Sequence, residues 1–445
     1  MTASKTTVFY NGIEITGDSF DVSIRRGRSR ELDEFEAASG SITVRNYNRD
    51  FDPPFFSSPS YLLMETGDYL LLETGDRILL EQGSEASGAY GVIRLGVPIE
   101  VRDGAVVVFS GHVEDVRYKW GVDGTAEATF IVGDGLSTLA RTSFQTEVES
   151  EGNQLPGVRI AEILDRSDVD YPSGGSYRSL ANGHSRLIGD FVEAGTNVLQ
   201  YLQLVTRTDF GRLYTTRTGL LVFKGRYDWP GESGGTYGNS SADFKDDGTA
   251  FSFSGVEVLW GSELQVFQAS VTRDVVREFE LPFDVIPPPP DYTLTEIPSQ
   301  YDSSGTPRTA TSALSPPLLI GARSVSISGL LLRHDGECEA RAQYLVDRFS
   351  SPEAVVSELV VILENFGTTD RATIAALDIN DVETLTWTPT GTGNMVTQIL
   401  AIEGVTYQAR TGSPTTITHQ LSAMPDTNYF KLDTDLLDSG VLLGF

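Results

Sequence analysis

The sequence predicts a mainly β protein with a small α/β module, on three observations. Short runs of β-branched and aromatic residues, broken by Gly, Asn and Asp, recur from Val8 to Arg141 and again beyond Phe251. Glycine (44) and proline (20) punctuate the 445 residues at a density that suits turns rather than long helices. Helical periodicity is concentrated in a middle stretch, with one further helix near residue 340. The length exceeds what one core serves and predicts two to four domains.

Taken in order, residues 1–145 read as the first β domain. Val8-Phe9-Tyr10 and Ile13 to Ile15 flank Asn11-Gly12, a hairpin signal because both central positions of a type I′ turn need φ > 0. Phe20, Val22 and Ile24 alternate with polar residues, and Ser41 to Asn46 is a further strand that ends before Pro53-Pro54. Residues 61–84 carry an eight-residue repeat, YLLMETGD, YLLLETGD and RILLEQGS. Its leucines, among them Leu62, Leu63, Leu70, Leu71 and Leu79, make more apolar surface than three short strands can bury, which predicts packing on a neighbouring subunit. From Tyr90 to Arg141 come further strands, with turns expected at Asp103-Gly104 and Ser110-Gly111. The consecutive Val106, Val107 and Val108 suit a strand buried on both faces or a small barrel wall.

Residues 146–250 read as the α/β module. Helices are predicted from Pro156 to Arg166 and from Thr196 to Val205, the second with a Thr or Asn cap and Val198, Leu199, Leu202 and Val205 on one face. Gly211 to Arg226 is a hairpin turning near Arg217-Thr218-Gly219, and Tyr227 to Gly248 a Gly/Ser-rich linker or loop. Residues 251–425 read as a second β domain, with strands at 263–273, 355–363 and 398–407. A stiff run follows the first of these at Pro287–Pro290, and one helix spans Glu337 to Phe349. Residues 426–445 form a C-terminal segment.

Charge narrows the function classes. With 62 acidic and 33 basic residues the formal charge is −29, which repels nucleic acid and anionic membranes. The single cysteine, Cys338, precludes an intrachain disulfide framework and is expected to pack inside its helix. The opening residues lack a signal-peptide pattern and no apolar run approaches about 18 residues. A soluble protein made in a cytoplasm, without a membrane anchor, is expected.

Chemistry-bearing patterns are sparse. His112, His184, His334 and His419 are scattered without metal-ligand spacing. Gly133-Asp134-Gly135 lacks the lysine and spacing of a phosphate loop and reads as a turn. Asp68 and Asp76 after glycines read as turn chemistry before calcium ligation. Acidic pairs such as Glu34/Glu36 are too many to single out a catalytic dyad. The cluster Arg25, Arg26, Arg28 and Arg30 stands out in so acidic a chain and predicts salt bridges with an acidic partner subunit. No catalytic, cofactor-binding or metal residue is assigned. A cell-wall hydrolase would need such a site; a carbohydrate-binding adhesin would use Tyr227, Trp229 and Tyr237 to stack on sugar.

Four segments together resemble the minor tail or hub proteins of long-tailed bacteriophages. They are Gly40 to Pro53 (GSITVRNYNRDFDP), Val108 to Val116 with Phe130 to Leu139, Asn197 to Arg226, and Phe430 to Phe445. The 61–84 insert resembles repeat units of phage tail proteins but departs from the plainest pattern. The resemblance implies two hub-type β-barrel domains flanking the α/β module, in a homotrimer whose barrels form a pseudo-sixfold ring at the virion tail tip. It implies a non-enzymatic part with no cofactor, joining the sixfold tail tube to a threefold spike or fibre. Its partners would be its own copies, the distal-tail ring, the tube, the tape measure and the fibre or spike, with assembly in the host cytoplasm.

Overall fold

Asn11 and Gly12 take φ of 49° and 78°, the two left-handed positions their turn requires, and they join β1 (Thr6–Tyr10) to β2 (Ile13–Glu14). The computed structural model describes residues 6–48, 50–52, 93–228, 240–260, 265–274, 307–312, 323–350, 354–389 and 393–424. The repeat at 61–84 with its leucines, Asp68 and Asp76, the run Pro287–Pro290, Trp229, Tyr237 and the segment 426–445 lie outside the described residues.

Five more strands complete the first group: β3 (Ser19–Gly27), β4 (Glu36–Arg45), β5 (Pro98–Asp103), β6 (Val106–Trp120) and β7 (Ala126–Gly133). Two expected turns are corrected here. Asp103 pairs with Val106, so the β5–β6 turn centres on Gly104-Ala105, with positive φ at Gly104 only (59°). Ser110-Gly111 is no turn, since β6 runs straight through it. Glycine is needed there because a Cβ would strike the Gly133 carbonyl of β7 and the Phe109 ring. The expected turn at 133–135 is instead a helix start: Asp134 caps α1 (Gly135–Arg141), its Oδ1 accepting from the Ser137 amide at 3.1 Å.

The module follows as β8 (Val148–Ser150), α2 (Pro156–Leu164), β9 (Arg178–Leu180), β10 (Asp190–Val192), α3 (Val198–Asp209), β11 (Arg212–Thr215) and β12 (Leu221–Lys224). Pro156 opens α2, where its missing N–H costs nothing, and Asn197 caps α3 through the Gln200 amide at 3.1 Å. Val198, Leu199, Leu202 and Val205 of α3 are buried as the spacing predicts, each contributing roughly 1.5–3 kcal/mol. They share a core with Leu136, Ile160, Ile163 and Phe223.

The remainder comprises β13 (Ala242–Lys245), β14 (Gly255–Leu259), β15 (Gln268–Arg273), β16 (Arg308–Thr311), β17 (Ser324–Leu330), α4 (Asp335–Phe349) and β18 (Val355–Ile362). After a short 3₁₀ turn come α5 (Thr368–Ala376), β19 (Val382–Trp387), β20 (Val396–Arg410) and β21 (Thr416–Ala423). The expected loop at 227–248 thus contains a strand, β13, parallel to β19. The second β region carries two described helices rather than one. Helix α4 packs on a small sheet of order β16-β15-β17, burying Cys338, Ala342, Leu345 and Val346.

The module strands pair among themselves as β10-β8 and β11-β12-β9, and the remaining strands form one 13-stranded sheet, running β14-β18-β21-β20-β3-β4-β7-β6-β5-β1-β2, with β19 pairing β20 and β13 pairing β19. Among the described strands it does not close into a barrel. The two expected barrel regions are joined by the antiparallel pairing of β3 with β20 from Gly27↔Gly404 to Asp21↔Arg410, over one continuous core. Among the described residues the outermost strands, β14 and β2, each pair on one side only.

Candidate functional site

Among the described residues no three His, Cys, Asp or Glu side chains come together to hold a metal ion. Each histidine has its own setting. His112 is half-buried 3.9 Å from Glu114, its pKa lowered chiefly by burial. His184 lies edge-on to Tyr227, and His334 precedes α4 without capping it through its side chain. His419 is wholly buried against Glu383 at 2.8 Å. Asp134, pushed up by burial against the pull of its hydrogen bonds from Thr215, Ala38 and Ser137, is engaged in capping α1.

Two other regions concentrate charge. The first is the seam where β3 meets β20, and it holds the arginine cluster. Arg26 donates to Asp378 at 2.7 Å, and Arg28 to Glu403 at 2.7 Å with its guanidinium 4.5 Å over the Phe35 ring. Arg212 lies 3.6 Å from Glu403, and the Ser422 hydroxyl donates to it at 2.7 Å. Burial raises the Glu403 pKa, but these two guanidinium groups and the hydroxyl outweigh it and bring it down to about 2. So Arg26 and Arg28 are buried and paired within the chain, whereas Arg25, bonded to Ser29 at 2.6 Å, and Arg30 are exposed. From the module, Arg217 reaches the same seam. Its amide donates to Asp378, and its guanidinium to the Ala376 and Val107 carbonyls, pinning the β11–β12 turn to both β regions.

The second region is a cleft of about 590 Å³ between the end of α3, α4, the 31–35 loop and β17. Its wall includes Phe210, which ends α3 at φ 54°, ψ 30°, a left-handed position normally given to glycine. The Gly211 amide reaches Thr206 and the Phe210 amide reaches Arg207, so the turn is a Schellman closure with a phenylalanine in the strained seat. Such strain, about 1–2 kcal/mol, persists where surrounding structure holds it and collects at binding surfaces. The ring packs edge-on against Tyr344, centroids 6.1 Å apart.

Arg226 and Arg341 are two of the arginines that line the same cleft. Arg341, buried on α4, donates to the Thr208 carbonyl, the Ser185 hydroxyl and the Glu337 carbonyl. Burial, then repulsion from Arg226, lowers its pKa to about 10. Arg226 stacks on Tyr227 at 4.7 Å, and its Nε is enclosed without a hydrogen-bond partner. Nothing in the sequence pattern singled out Phe210 or Arg341, and Arg226 stood out only as the last residue of the Asn197 to Arg226 segment. The one available signal was a charge at position 341 within the apolar stripe of Cys338, Ala342 and Leu345. The geometry suits holding and docking: it offers charge, edges and apolar walls.

No protein-family model matches the chain, and no curated protein does. Solved structures do. The tail protein from Neisseria meningitidis MC58 aligns with a TM-score of 0.56 at 11% identity, over 94% of this chain and 95% of that one. The 43 kDa tail protein of prophage MuSo2 from Shewanella oneidensis aligns with a TM-score of 0.54 at 11% identity, over 94% and 97%.

Proposed function

We propose that this chain, whose fold is that of phage tail proteins over nearly its whole length, is a structural component of a virion tail, without enzymatic activity. The observation that carries the reading is the two-way coverage: almost all of each chain is aligned, so the arrangement of parts is shared and not one common module. In finer terms, residues 1–145 and 251–425 are two hub-type β regions flanking the 146–250 module, with 426–445 as a terminal segment. Three copies form a ring that joins a sixfold tube to a threefold spike or fibre at the tail tip. The distal-tail ring and tape measure are further neighbours.

Open sheet edges support this reading. Strand β14 has one ladder partner among the described residues and ends beside Trp260, which is 75% exposed; β2 at the other end exposes Ile13. Unpaired edges with apolar neighbours are surfaces that assembly covers. Arg25, Arg30 and the repeat leucines Leu62, Leu63, Leu70, Leu71 and Leu79 are the proposed intersubunit contacts. Arg26 and Arg28 serve the seam inside each chain.

Light scattering on purified protein tests the ring. Three 48.4 kDa chains give about 145 kDa, the expected mass at high loading. Antibody labelling of intact virions tests the location, and labelling absent from the tail overturns the reading whatever the mass.

A further inference from the structure

We propose that the cleft beside β17 docks an extended peptide segment of a partner protein, which adds as a strand to the free edge of β17 and sets a carboxylate on Arg226. Three observations lead there. In the small sheet β17 pairs with β15 alone among the described residues, so its other edge has no ladder partner. Its sequence, SVSISGL, carries none of the lysines, prolines or inward charges that protect a permanent edge, and its one irregularity falls at its end, by Gly329. Four consecutive residues, Val325 to Ser328, line the cleft. Space over one face of a strand is lined by alternate residues, so a consecutive run means that the space lies along the edge.

Charge selects the occupant. The chain is strongly acidic, and other arginines at the cleft are matched, Arg28 by Glu403 and Arg207 by Glu34. Arg226 has no ion pair among the described residues, Asp228 beside it accepts from the Gly225 amide, and Arg341, which feels its repulsion, has donors already given to protein oxygens. A carboxylate arriving at Arg226 relieves that repulsion and meets a ready fork of donors. Phe210, held in its strained turn, and Tyr344 supply the apolar wall for neighbouring side chains. Main-chain bonds to an edge, one charged anchor and an apolar wall are the elements of strand addition. The cleft volume falls within the range of about 300–1,000 Å³ seen for ligand sites.

The inference rests on the tail reading only in taking the partner to be a protein, and its test is independent of virions. A library of decapeptides, randomised around one fixed aspartate, is selected on the full-length chain, and selected peptides are measured by fluorescence anisotropy. Alternating β-branched flanks are expected. Affinity should fall about tenfold or more on changing the aspartate to asparagine, and equally in R226Q. N-methylation of alternate peptide amides should abolish binding in one register and spare it in the other. R226Q lowers the urea midpoint only slightly, since no ion pair is lost and only the stack on Tyr227 goes. Three results overturn the proposal: no selection above background, selection indifferent to R226Q, or free succinate competing as well as the peptides, which marks a small-acid site. Chains that bind peptides but do not label tails refute the tail role and leave the cleft standing.

Discussion

Replacing Asp103 by alanine should destabilise the protein far more than its place beside a hairpin turn suggests. Asp103 is 2% exposed, and its carboxylate takes a bidentate contact from Arg371 of α5, Nε to Oδ1 at 2.5 Å and the terminal nitrogen to Oδ2 at 2.6 Å. The Tyr407 hydroxyl of β20 adds a bond to Oδ2 at 3.0 Å and meets Thr6 Oγ1 of β1 at 2.7 Å. One carboxylate therefore ties β5 to α5 and β20. Removing it strands a buried guanidinium whose remaining acid, Glu364, is 3.5 Å away. Breaking a buried pair in this way costs about 3–5 kcal/mol. With a urea slope of about 3 kcal/mol/M, a loss of about 4 kcal/mol lowers the midpoint by roughly 1.3 M. Arg371→Met should cost a similar amount. The double variant D103L/R371M should recover most of the loss, because neither charge is then left unpaired. A D103A midpoint within about 0.3 M of the parent, or a double variant as unstable as the two singles summed, refutes the reasoning.

Three further outcomes follow from the same structure. Glu403 is held near pKa 2 in the fold against about 4.3 in an unfolded chain, so its contribution is complete above pH 4.3 and is lost as pH falls towards 2. Urea midpoints across pH 6 to 2 should fall in that window by the equivalent of up to about 3 kcal/mol, and the E403Q variant, weaker at neutral pH, should show a shallower fall. Gly27→Ala should cost more than about 2 kcal/mol, or prevent folding, because φ is +91° and the new Cβ collides with the Glu403 carbonyl and lies 2.6 Å from Gly404 Cα, both backbone; thermal melting reads this. Cys338 is wholly buried with its thiol pKa raised by burial, so a thiol reagent should label it only on unfolding; prompt labelling of native protein refutes its packing role.

Local chemistry was legible where it decided structure locally. Asn11-Gly12, the Asn197 cap, Pro156 and the apolar stripe of α4 all read correctly because each rule concerns residues within one turn of another. Asp103-Gly104 was half legible. The hairpin is there, but the aspartate serves a partner 268 residues away and so belongs to the ladder rather than the turn. Helices α1 and α5 escaped notice: α1 is only seven residues long, and α5 buries just Arg371, Ile374 and Ala375, whereas α2, as long as α5, announces itself with Pro156 and the stripe Ile160, Ile163 and Leu164. The arginine cluster looked like surface because its acids, Asp378 and Glu403, lie 352 and 375 residues downstream. The cleft was illegible for the same reason: residues from 28–35, 203–213, 225–228, 325–328 and 340–349, five separate stretches of chain, meet there.

The pairing of β3 with β20 also sets a clock for biosynthesis. At about 5–20 residues per second, a ribosome needs roughly 20–75 s after making Arg28 to deliver its partner Glu403, 375 residues later. Throughout that interval β3 offers an unsatisfied ladder to the cell, and the contact that closes it is among the most distant the chain can make. Chaperone dependence, and aggregation of nascent chains halted before residue 396, should therefore mark production of this protein more than any weakness of the finished fold.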